Sequence, residues 1–88
     1  MNDRKVLRHV IPVDDQWHIV NLPGPIMHVA TRQENAVEIW FIGRGDQKGE
    51  ALALRVFGTG QPFPEAARHV GTAITPSGRF AWHLFQTL

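Results

Sequence analysis

The chain has 88 residues, 43% of them hydrophobic and 19% charged, with a formal net charge of +1 and no cysteine. This is the composition of one small globular domain over residues 1–88, and it excludes a disordered chain and a disulfide-stapled scaffold. The weak charge gives no strong pull on nucleic acid, and no apolar run approaches the ~18 residues needed to span a membrane. The start, Met1-Asn2-Asp3-Arg4-Lys5, runs straight into strand-like sequence without a signal-peptide pattern, so a cytoplasmic protein is expected.

The apolar pattern is short and alternating. Residues 5–13, KVLRHVIPV, place Leu7, His9, Ile11 and Val13 on one face, and Pro12 puts this strand at an edge or ends it. Asp14-Asp15 marks a turn. Residues 16–22, QWHIVNL, form a strand with Trp17, Ile19 and Asn21 on one side. Pro23-Gly24-Pro25 punctuates the chain before the strand of residues 26–31, IMHVAT. Residues 36–42, AVEIWFI, are rich in β-branched and aromatic side chains, and the glycines of 43–49 read as a loop or hairpin turn.

Residues 51–57, ALALRVF, alternate and stop at Gly58, which favours strand over helix. Residues 64–69, PEAARH, read as one short helix, with Pro64 at its start and Glu65 at the positive end. Two further strands, residues 70–75 and 79–85, are joined by a Pro76-Ser77-Gly78 hairpin. Six to seven short strands with one short helix near 64–69 predict a mainly β fold, a small antiparallel barrel or sandwich.

The histidines follow the strands. Trp17 and Ile19 point one way and His18 the other; the same holds for Trp82, Leu84 and His83, and for Met27, Val29 and His28. These three histidines are expected on the less buried sheet faces. A shared site is the sharper alternative, but no His-x-His, His-x-Asp or His-x-Glu pair is present, so no metal is expected. Ser77 sits in the predicted hairpin turn without a nucleophile motif. Glu38 alternates with apolar neighbours and is expected on the solvent side.

FGTGQPFP, residues 57–64, raises the question of a phosphate cradle. It lacks the lysine and spacing of a P-loop and the third glycine of a dinucleotide fingerprint, so no cofactor is expected. A tight bend and an anion-binding nest remain. Gly71-Thr72 repeats the Gly-Thr pair, and if the two bends are adjacent, Thr59 and Thr72 line one small polar pocket. Trp17, Trp40, Trp82 and five phenylalanines load both strand faces with rings, so one face is expected to meet a partner, a ligand or another subunit, or two sheets absorb them all.

LRHVIPVDDQWHIVNLPGPIMHVA, VEIWF, LRVFGTGQPFP, HVGTAI and FAWHLFQ resemble a family of small proteins of actinobacterial phages and prophages, a domain of unknown function. The resemblance runs from about Leu7 to Phe85. It implies a mobile-element origin and the host cytoplasm, and it carries no functional residues over. The resulting expectation is a non-enzymatic binding protein that interferes with a host factor, an anti-defence role, by occluding a protein or sequestering a nucleotide signal, and it is expected to form a homo-oligomer. Candidate ligand-binding residues are Trp17, His18, His28, Trp40, Arg55, Gly58, Thr59, Gly60, Thr72, Trp82 and His83, with Arg68 and Arg79 as further cations. The alternatives are a small nucleic-acid-binding barrel with stacking aromatics and an enzyme using His18, His28 or His83 as acid and base.

Overall fold

The alternating and β-branched runs become seven strands in a computed structural model that describes residues 4–44 and 49–87. They are β1 (Arg4–Pro12), β2 (His18–Leu22), β3 (Ile26–Ala30), β4 (Ala36–Arg44), β5 (Glu50–Gly58), β6 (Arg68–Ile74) and β7 (Ala81–Thr87). Each bound falls within two residues of the sequence expectation. The predicted turn at 43–49 lies largely outside the described residues. No helix occurs among the described residues, so none there is long and apolar enough to cross a membrane.

The strands form two antiparallel sheets. Sheet A has the order β1-β4-β3 and sheet B the order β2-β5-β7-β6. This is a sandwich, which corrects the barrel alternative. A barrel needs a continuous ladder around its wall. Here β3 and β6 are the ends of different sheets, and they meet through side chains: Gly71 sits so close to Val29 that an added Cβ would lie 2.6 Å from its Cγ2. Both strands are also bulged at this seam, between Ile26 and His28 and between His69 and Gly71, which interrupts pairing.

The predicted helix over 64–69 is likewise corrected. Its only backbone bond of that kind is one turn, Ala67 N–H to Pro64 C=O at 3.0 Å. Arg68 and His69 join β6 instead. The segment is an arm that must cross a sheet face, and Ala67 is buried there against Phe57 and Phe85. Its nearest predecessors, Pro62 and Pro64, hold the arm extended.

Two apolar clusters result. The main core lies between the sheets: Ile11, Val37, Ile39 and Phe41 from sheet A against Val20, Leu22, Leu54, Val56 and Leu84 from sheet B. A second cluster of Phe57, Phe85, Ala67 and the partly buried Trp17 lies on the outer face of sheet B, under residues 59–67. Both faces of β5 are therefore covered, which explains its nearly continuous burial. The β6–β7 hairpin closes as expected, with Thr75 N–H to Phe80 C=O at 3.0 Å and Gly78 at φ 76°. Trp82 faces inward and donates its indole N–H to the Glu34 carbonyl at 2.9 Å, which ties the β6–β7 hairpin to the β3–β4 loop.

Glu38 is the clearest departure from the alternation rule. It does face away from the core, yet it is only 5% exposed. Arg8 Nη1 donates to it at 2.5 Å, and Arg32 donates twice at 2.8 Å. Arg32, then Arg8, hold its carboxyl below the ordinary value of 4.5 against the cost of burial. A depressed carboxylate contributes stability above its ordinary value, and that contribution is lost as pH falls through the folded value. Glu38→Gln is expected to cost about 1 kcal/mol at pH 7, a low figure because both guanidiniums reach water. In urea melts the gap to wild type should close below pH 4.5; a gap that persists or widens there would refute this account.

Candidate functional site

The site grows from the order of sheet B. The last strand, β7, is inserted between β5 and β6, so His83 faces Phe57 across one ladder and Thr72 across the other. At the end of β5 the chain turns through Gly58-Thr59-Gly60-Gln61. Gln61 N–H donates to Gly58 C=O at 3.1 Å, and Gly60 takes φ 89°, as the third position of a type II turn requires. The Gln61 side chain accepts from Gly58 N–H at 3.0 Å and donates to Asp15 Oδ1 at 3.2 Å. The glycines thus serve a turn, and two of its N–H groups are spent inside it.

That turn delivers Thr59 to His83. Thr59 Oγ1 lies 2.9 Å from His83 Nε2, and Thr72 Oγ1 lies 2.9 Å from His83 Nδ1. Thr72 Oγ1 also lies 2.8 Å from His69 Nε2. Four side chains from two strands and a turn make one hydrogen-bond chain across the outer face of sheet B. Each hydroxyl donates and accepts, and a neutral imidazole has one donor and one acceptor nitrogen. The two bonds to His83 therefore run in one sense, and reversing the tautomer of His83 reverses both of them.

An aromatic floor lies beside this chain. Phe63 from the crossing arm packs at 4.1 Å between centroids on Phe85, and Phe57 meets Trp17, Phe63 and Phe85 edge to face. The rings, the bend and His83 enclose a shallow pocket of about 220 Å³. Its lining includes Phe57, Thr59, Phe63, His83 and Phe85. Phe63 stays 51% exposed at its rim. Arg55 closes the side toward the 14–15 turn, 4.5 Å over the Phe57 ring and 3.8 Å from Asp15.

Of the candidate residues, Trp17, Arg55, Gly58, Thr59, Gly60, Thr72 and His83 share this face of sheet B. The expected meeting of Thr59 and Thr72 occurs through His83 rather than by direct contact. The other four lie elsewhere. His18 pairs with Asp14 at 2.8 Å beside the first turn, and its hydrogen bond lowers the Asp14 carboxyl below its ordinary 3.8. His28 stands opposite Trp40 on the outer face of sheet A, where Arg8 lies 5.9 Å from the Trp40 ring. Trp82 belongs to the inter-sheet core. Ile19, not His18, takes the open face of β2, at 72% exposure.

Sequence reasoning missed His69, because assigning 64–69 to a helix removed it from the sheet. Its signal was present: His69 and Thr72 are three apart, and one bulged residue, Val70, restores them to the same face. Ser77 is not part of this site. Its hydroxyl donates to Glu34 Oε1 and its N–H to Glu34 Oε2, and the hydroxyl bond lowers the Glu34 carboxyl. Among the described residues no group of three or more His, Asp or Glu converges as metal ligands would.

A family model described as a domain of unknown function, DUF7352, matches residues 2–88, and the chain belongs to that family. No curated protein and no solved structure matches it.

Proposed function

We propose that this member of the DUF7352 family is a non-enzymatic binding protein that occludes a host protein through the outer face of sheet B. The observation that carries the reading is the pocket beside the hydroxyl–imidazole chain: an apolar floor of three rings with two polar groups, Thr59 and His83, at its wall. An aromatic floor next to a polar anchor is how a protein surface concentrates binding energy on one inserted side chain. Phe63 and the flanking Ile74 and Ile19, at 51%, 60% and 72% exposure, supply an apolar surround on the same face.

The size of the pocket favours this over sequestration of a nucleotide. About 220 Å³ is below the roughly 300–1,000 Å³ of sites that enclose a small ligand. The bend also spends the N–H groups of Gly58 and Gln61 internally. An acid–base enzyme is disfavoured because both ring nitrogens of His83 are already engaged by threonine hydroxyls and Ser77 is held by Glu34. The resemblance to phage and prophage proteins supports a host factor, a component of defence, as the partner.

The test is native mass spectrometry on protein purified from phage-infected host cells. The expected result is a stoichiometric host protein retained by wild type and lost at least tenfold in Phe63→Ala, with an unchanged circular-dichroism spectrum showing that the variant is folded. A retained small ligand instead would replace occlusion by sequestration. Bare protein, or a partner indifferent to Phe63, would refute the assignment of this face.

A further inference from the structure

At the β3–β6 seam the sheets touch where Val29 meets Gly71. Beside that contact, between the start of β3 and the start of β6, lies a cleft of about 400 Å³. This is within the roughly 300–1,000 Å³ of small-ligand sites. The cleft shares no lining residue with the pocket at Phe63. Ile26, Leu52 and Val70 make its apolar wall, and all three are partly buried against the main core. Its rim, Gly24-Pro25, is tied to the central strand β4, because Ile42 N–H donates to Pro25 C=O at 3.2 Å. The cleft is therefore preformed, and a ligand need not order it.

Two polar side chains stand where alternation on the core side otherwise places apolar ones. The inward face of β7 runs Trp82, Leu84, Gln86. Gln86 is opposite Leu54 on β5 and opposite Arg68 on β6, and opposed residues share a face. Gln86 is half-buried and Arg68 is exposed, and both line the cleft. Among the described residues the ion pairs to carboxylates engage Arg8, His18, Arg32 and Arg55, and none engages Arg68. The lining holds no carboxylate. His69 also borders the cleft, but its Nε2 is taken up by Thr72 on the outer face.

We infer that this cleft binds a carboxylate that carries an apolar chain. One unpaired cation matches one negative charge, and a guanidinium fork meets both oxygens of a carboxylate at once. The Gln86 amide supplies further N–H donors, and the chain leaves water against Ile26, Leu52 and Val70. A phosphate, with close to two charges at neutral pH, calls for a second cation that the lining does not supply. This site is separate from the face of sheet B that carries Phe63 and does not rest on the function proposed for that face.

The probe is hexanoate, titrated into isotope-labelled protein and followed by amide shifts. Shifts at Ile26, Leu52, Val70 and Gln86 should saturate with a Kd of about 1 mM. Acetate, which lacks the chain, and hexanamide, which lacks the charge, should bind at least about tenfold more weakly. Arg68→Gln should weaken hexanoate about tenfold and leave hexanamide unaltered, whereas Arg79→Gln, the same charge loss on the β6–β7 hairpin, should change neither. Core amides of both variants should keep their wild-type positions, which shows that the fold is intact. Acetyl-leucyl-valine distinguishes the source of the carboxylate. Binding tighter than hexanoate assigns it to a peptide terminus, and weaker binding assigns it to a free acid. Equal affinity for hexanoate and hexanamide, shifts gathered at Phe63 instead, or indifference to Arg68→Gln would overturn the proposal.

Discussion

Phe57→Ala is expected to remove about 3–5 kcal/mol of folding stability, the cost of deleting a fully buried ring. Phe57 is 2% exposed and meets Trp17, Phe63 and Phe85 edge to face at 5.9, 6.3 and 5.3 Å. A domain of this length has roughly 4–13 kcal/mol in total, so the variant sits near the threshold of unfolding. Its melting midpoint should fall by at least about 12 °C, with Phe57→Leu losing less than half as much. The arm over 59–67 is held by these rings, so it should lose amide protection first. A loss below about 1 kcal/mol would show that the outer cluster is surface decoration and not a second core.

Gly24→Ala is expected to be nearly as harmful for a different reason. The added Cβ would lie 2.1 Å from the Ile42 carbonyl oxygen and 3.0 Å from its carbon. Backbone of the central strand β4 cannot yield, and Ile42 N–H is bonded to Pro25 C=O at 3.2 Å across the same junction. The expected loss is about 2–3 kcal/mol in urea melts, typical of overpacking, partly offset by the lower entropy of the unfolded alanine chain. Gly78→Ala is the control. Gly78 has φ 76° but open space around its Cβ position, so only conformational strain of about 1 kcal/mol is expected. If the two variants ranked the other way, the close approach of the 23–25 turn to β4 would not be a packing constraint.

The site was partly legible in the residues. The Gly-Thr pairs at 58–59 and 71–72 marked two bends that meet, and period-two alternation put His83 opposite Trp82 and Leu84. What joins them is the insertion of β7 between β5 and β6, which no local pattern encodes. His69 was hidden because the helical propensity of Glu65-Ala66-Ala67 was outweighed by the burial of Ala67 against Phe57 and Phe85. Glu38 was legible as facing away from Val37 and Ile39, but its burial was not, since Arg8 reaches it from thirty positions away.

Alternation, β-branched content and the turn residues by themselves determined the seven strands, their bounds within two residues, the edge position of the Pro12 strand and the 76–78 hairpin. These are local properties: side-chain period, φ preference and a missing N–H act within a few residues. Only the tertiary structure decided the division into two sheets, and which of the two apolar faces of β5 met the opposite sheet and which met its own arm. Those outcomes depend on contacts between distant segments, where burial of total apolar area outweighs the preference of any one stretch.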